Sequence, residues 1–223
     1  MTHLDVALPI IKKDLLKMMM MVKSQVSLSK DCLEKFDKEL AYEVLSNEKK
    51  IDAFELKLNM DCENVLALYN PVAIDLRFVM ASYTITADLE RIADKAASIA
   101  RFVTDLESPL AENISKKLQI KEMYEQALII LDDVYDVLEN EDTALGREVF
   151  KKDDLLNNIY KNSTKASLEL IKENPNNSAQ ILYAYSSVKK IERIGDLAKS
   201  IIEEIIFYIE AKVMKHSKLD KNN

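Results

Sequence analysis

The chain of 223 residues contains 2 glycines, 4 prolines, 2 cysteines, 2 histidines and no tryptophan. The glycine shortage decides most, because ordinary usage of about 7% would place roughly fifteen in a chain this long. Sheet proteins draw on glycine for tight turns that need positive φ. So few glycines therefore imply few turns and long helices, which excludes sandwiches and barrels. No GxGxxG or GxxxxGK stands anywhere, which removes Rossmann and P-loop folds. Cys32 and Cys62 are too few and too isolated to frame disulfides or a zinc site. Positive charge is also short: 31 basic against 38 acidic residues give a net charge of −7, so nucleic acid is not an expected partner. Apolar runs such as Ala127–Leu131 fall far below the ~20 residues of a transmembrane helix. The opening MTHLDVALPIIKKD lacks the basic start and small-residue cleavage site of a signal peptide. A cytoplasmic protein with reduced thiols and no transmembrane segment is expected.

What the chain does have is a repeat. Pro71 and Pro175 stand 104 residues apart, and near that offset DLERIADKAASI (88–99) aligns with KIERIGDLAKSI (190–201). Seven of the twelve positions are identical at an offset of 102. That density implies two copies of one helical unit of about a hundred residues. Each copy reads as three helices. The first helix is expected from Leu4 to Phe36, with Ile11, Leu15, Met18, Val22 and Leu28 spaced along one face. A second covers Lys38 to Tyr69. A third opens at Asn70-Pro71, with Asn as N-cap and Pro at the first helical position, and runs to Leu106. The second copy is expected to place helices at Glu112–Glu139, Thr143–Lys172 and Ser178–Val213, with Asp142 or Thr143 capping the fifth. The fold class is all-α, two tandem antiparallel three-helix bundles, divided as 1–108, 109–214 and a polar tail at 215–223.

Carboxylates border the apolar line Ile85, Leu89, Ile92, Ala96, Ile99, Val103 of the third helix. Glu90 and Asp94 lie four residues apart and share a helix side, and Glu192 and Asp196 repeat them at equal register. The second helix offers a matching pair, Glu48 and Asp52, whose counterparts are Asp153 and Asn157. If adjacent helices bring four carboxylates together, their repulsion is costly unless a cation compensates it. A solvated charged stripe is the plainer alternative for any single pair. The only histidines, His3 and His216, lie at the chain ends, so the Glu-x-x-His pattern of di-iron oxidases is absent. An all-oxygen shell suits magnesium, manganese, calcium or ferric iron. Asn157 removes one charge from the second copy, which predicts weaker or different metal binding there. Arg77, Arg91 and Arg193 follow these motifs, as partners for neighbouring carboxylates or as contacts for an anion or partner protein.

NPVAIDLRFVM (70–80) followed by DLERIADKA (88–96), with IERIGD at 191–196, closely resembles the repeated signature of the PhoU family of phosphate-uptake regulators. The resemblance spans essentially the whole chain. It implies a six-helix, two-repeat cytosolic protein, often a homodimer, that binds metal ions such as iron, manganese or magnesium through E(D)xxxD pairs. Carried over by position, the ligands are Glu48, Asp52, Glu90 and Asp94 in the first copy. In the second they are Asp153, Glu192 and Asp196, with Asn157 a departure. The resemblance further implies negative regulation of the phosphate response, linking the ATPase subunit of a phosphate ABC transporter to a sensor histidine kinase. No catalytic residues are expected, since no nucleophile motif or central histidine stands in the chain. The rival reading is a carboxylate-ligated, metal-dependent hydrolase or oxidase. Met18–Met21 cannot all face one side of a helix, so two are expected in the core and two toward solvent or a partner. Phe207 and Tyr208 are expected to pack in the core, with a dimer or partner contact as the alternative.

Overall fold

A computed structural model of the chain describes residues 3–212; Val213, His216 and the polar tail at 215–223 lie outside the described residues. Three long helices come first: α1 (His3–Lys35), α2 (Lys38–Tyr69) and α3 (Ala73–Asp105). Then follow α4 (Glu112–Lys117), α5 (Ile120–Asn140), α6 (Thr143–Lys152), α7 (Asp154–Glu173), a 3-10 turn at Pro175–Asn177 and α8 (Ser178–Glu210). Among the described residues there is no strand.

The helix ends show which residues do the turning. Asp37 caps α2, its carboxylate accepting from the backbone N–H of Glu39 at 2.9 Å and Leu40 at 3.0 Å. Asp142 caps α6 in the same way, as its sequence position suggests. Asn70 departs from expectation. It closes α2 in the left-handed region at φ 46°, ψ 57°, rather than opening α3. Asparagine tolerates that region at small cost, and Pro71, with no N–H to give, cannot prolong the helix behind it. The next helix therefore starts at Ala73. Both glycines sit within helices, while Phe36, Asn70, Ala73, Gln119, Glu141 and Ala211 take the positive φ values.

Two expected helices of the second copy are interrupted. The fourth breaks at Gln119, which turns left-handed at φ 52°. Leu118 and Ile120, two residues apart, would point to opposite sides of one continuous helix; the break lets both bury. The fifth is divided at Asp153, between α6 and α7, but does not lose its hydrogen-bond ladder. Asp153 N–H still reaches the Val149 carbonyl, and Asn157 N–H the Asp153 carbonyl.

α3 is the spine. It packs on α1 and α2 within its own bundle and on α8 of the other, while α1 lies against α5. The bundles thus sit side by side around one continuous core, with Ile85, Leu89, Ile92, Ala96, Ile99 and Val103 all buried. Tyr124 on α5 is wholly buried and its hydroxyl meets Ser29 of α1 at 3.0 Å. Tyr208 of α8 is buried, edge-on against Phe78 of α3 at 5.4 Å between ring centres, whereas its neighbour Phe207 is only half-buried, one helix position round from the core face. Within the run Met18–Met21, Met18 and Met19 are buried, Met20 is exposed and Met21 is half-buried. Cys32 and Cys62 are buried, and burial pushes both thiols up to about 12.

Candidate metal centre

In the first repeat, α2 and α3 run side by side and carry the acidic residues between them. Glu48 does not join the others, because Arg101 of α3 clamps both its oxygens at 2.8 and 2.9 Å. The group that does converge is centred on Glu90. Burial, and then the carboxylates of Glu55, Asp94 and Asp52, push the Glu90 carboxyl above its ordinary value, with Lys95 pulling the other way. Glu55 was not anticipated from the sequence. It lies three residues beyond Asp52 and so continues the same helix face. Among the described residues no lysine or arginine pairs with Asp52, Glu55 or Glu90, whereas Asp94 meets Lys95 at 2.8 Å. Four carboxylates thus meet one directly paired ammonium, with Lys190 of α8 near enough to Asp94 to feel its charge.

The second repeat is arranged differently. Asp153 is buried, with 1% of its side chain exposed, and Lys199 of α8 reaches it at 2.5 Å. Lys199 also meets Asp196 at 2.9 Å, and Arg193 meets Asp196 at 2.8 Å. Although burial pushes it upward, these two cations hold the Asp196 carboxyl below its ordinary value. Asn157 donates its amide to Asp153 at 2.5 Å instead of adding a charge. By the spacing that aligns Asp52 with Asn157, Glu55 is matched by Tyr160. Glu192 alone keeps an upward shift, from burial and then Asp196. Gly195 makes the close approach possible, since a Cβ there would lie 2.4 Å from Asp153 Oδ1 and 2.6 Å from Leu156 Cδ1.

The arginines are engaged within the protein. Arg91 pairs with Asp88 at 3.3 Å and Arg193 with Asp196, both one turn away on their own helix. Arg77 donates to the Tyr208 carbonyl of α8 at 3.1 Å, tying the two repeats together. His3 stacks on Tyr69, 5.9 Å between ring centres.

In this conformation no three histidine, cysteine, aspartate or glutamate side chains among the described residues stand close enough to hold a metal ion. The donor chemistry nonetheless separates the repeats. Asp52, Glu55 and Asp94 lie near enough to Glu90 to raise its carboxyl without closing into a cage, and all four offer oxygen, the donor type that hard cations take. In the second repeat Asp153 and Asp196 are already matched by ammonium and guanidinium groups, so that pair does not fit an additional cation.

The strain at Glu90 has a measurable consequence. Because its folded-state pKa is raised, the folded protein loses stability as pH rises through the unfolded value near 4.5, and stays penalised above the folded one. Glu90→Gln should therefore stabilise chelator-treated protein at pH 7 by on the order of 0.2–0.5 kcal/mol, the size of a like-charge helical pair. At pH 4 the gain should vanish. Urea melts at both pH values test this, and a loss of stability at pH 7 contradicts it.

Comparison with known proteins agrees with this repeat architecture. The PhoU domain family model matches twice, at residues 15–103 and 120–205. The chain belongs to the PhoU family. It is 29% identical to the phosphate-specific transport system accessory protein PhoU homolog 1 of Thermotoga maritima, over 96% of this chain and 91% of that protein. It is 30% identical to the Aquifex aeolicus homolog over 92% of each chain. With Escherichia coli PhoU it shares 27% identity over 90% of this chain and 84% of that one. The crystal structure of PhoU from Pseudomonas aeruginosa superposes with a TM-score of 0.88 at 25% identity, covering 93% of this chain and 99% of that chain. Both PhoU repeats carry the acidic motif; among the described residues the first leaves Asp52 and Glu90 without an ion-pair partner, whereas in the second Lys199 and Arg193 match Asp153 and Asp196.

Proposed function

We propose that this PhoU-family protein is a cytoplasmic, non-catalytic accessory of a phosphate-specific transport system and a negative regulator of phosphate uptake and signalling. It works by contact, as a homodimer joining the ATPase subunit of a phosphate ABC transporter to a sensor histidine kinase. A hard cation at Asp52, Glu55, Glu90 and Asp94, whether iron, manganese or magnesium, neutralises the carboxylates between α2 and α3. The observation that carries the reading is the two-repeat family match along nearly the whole length of relatives that are transport accessory proteins. No helix among the described residues is long and apolar enough to cross a membrane. Leu56 and Met60 of α2 and Leu76, Met80 and Tyr83 of α3 are exposed on the two helices that carry the acidic cluster. Large exposed apolar side chains of this kind suit a protein contact.

The test is co-purification with the ATPase subunit and with the kinase, before and after chelation and readdition of Mn²⁺. The native protein should bind both. Glu90→Ala with Asp94→Ala should weaken binding at least about tenfold, a loss of about 1.4 kcal/mol, with helical content unchanged. Undiminished binding by a folded, metal-free double variant would remove the metal from the mechanism. Failure of the native protein to bind either partner would remove the adaptor role.

A further inference from the structure

The two repeats answer the same electrostatic problem in different ways. At the position where the first repeat has Ala97, the second has Lys199, 102 residues on. The Lys199 ammonium lies 2.5 Å from an Asp153 oxygen and 2.9 Å from an Asp196 oxygen, so it stands between carboxylates supplied by two different elements. Asp153 is buried and its Oδ1 has no hydrogen-bond partner, an acceptor already desolvated and directed into the α7–α8 contact. Gly195 opens the space that lets this carboxylate approach α8. Asn157 and Tyr160 take the places of Asp52 and Glu55 and lower the charge further.

We propose that Lys199 is a built-in cation: it occupies the position between Asp153 and Asp196 that a divalent ion would need, and so confines metal binding to the first repeat. The inference rests on the metal-binding reading of the first repeat. It extends that reading by giving this chain one cation-dependent repeat and one that carries its own counter-ion. Removing the ammonium leaves Asp153 and Asp196 facing an unfilled gap, with the Asn157 amide beside them. Rotating that amide presents its oxygen, completing an all-oxygen set suited to Mn²⁺.

The experiment counts Mn²⁺ bound to the chelator-treated full chain by equilibrium dialysis. Lys199→Ala should bind one more equivalent than the native protein, and Asp196→Asn added to that variant should abolish the extra equivalent. Asp196→Asn alone, which keeps Lys199 and is expected to fold, should leave the native stoichiometry unchanged. The gain should persist when Glu90→Gln and Asp94→Asn have removed binding by the first repeat, so that failure of the first site and failure of this proposal are read separately. A loss of Mn²⁺ from Asp196→Asn alone would overturn the proposal. So would a folded Lys199→Ala protein that gains none.

Discussion

Tyr124→Ala should lower unfolding free energy by about 3–5 kcal/mol, the range for truncating a large buried aromatic ring. The side chain is completely buried in α5, and its hydroxyl meets Ser29 on α1, so the deletion opens a cavity where the two bundles join. Tyr124→Phe separates the contributions. The ring stays, and Ser29 still donates to the Val26 carbonyl at 2.9 Å, so its hydroxyl is not orphaned. That variant should lose about 1 kcal/mol, the net value of one neutral hydrogen bond. Because the core is continuous across α1, α3, α5 and α8, both variants should unfold in a single transition. Urea melts followed by circular dichroism measure both quantities. Two resolved transitions in Tyr124→Ala would show that the bundles are separately stable and that this contact does not couple them.

The helical class, the duplication and the line of core residues on α3 were legible because all three are periodic. Burial of Ile85, Leu89, Ile92, Ala96, Ile99 and Val103 follows directly from spacing. Interruptions were less legible, since they depend on what the neighbours bury. Nothing around Gln119 announces a left-handed residue, and only the joint burial of Leu118 and Ile120 accounts for it. Asn70 was a question of direction: its side chain suits either end of a helix, and its αL conformation assigns it to the end of α2.

At the acidic motifs, identity between repeats was the searchable signal, and it located Glu90, Asp94, Glu192 and Asp196. The differences carried more chemistry. Glu55 lies on the Asp52 face but has no carboxylate counterpart in the second copy, so a search for matching pairs passes over it. Arg101 was equally hidden. Its withdrawal of Glu48 depends on a long side chain reaching from α3 to α2, which no local spacing encodes. Lys199 was visible opposite Ala97, yet its meaning requires knowing that the junction of α6 and α7 at Asp153 delivers that carboxylate to α8.

That buried pair gives the second large effect. Lys199→Met keeps the length of the side chain and removes its charge, leaving Asp153 desolvated beside an apolar group. Breaking one member of a buried ion pair costs about 3–5 kcal/mol. The lower end applies here, because Asn157 still donates to Asp153 and Lys199 is itself 23% exposed. Asp153→Ala combined with Lys199→Met removes the stranded charge, while Asp196 retains Arg193 at 2.8 Å. The double variant should therefore recover to within about 1 kcal/mol of the native protein, since replacing a whole buried pair by apolar groups is often neutral. The two substitutions are in direct contact, so strong non-additivity is the expected signature. Denaturant melts of the four proteins, in chelator so that no metal contributes, give the coupling energy. Additive losses would mean that Lys199 stabilises through its methylene stem alone. Recovery in the double variant would show that the second repeat is stabilised by cancelling the charge that Asp153 carries into its core.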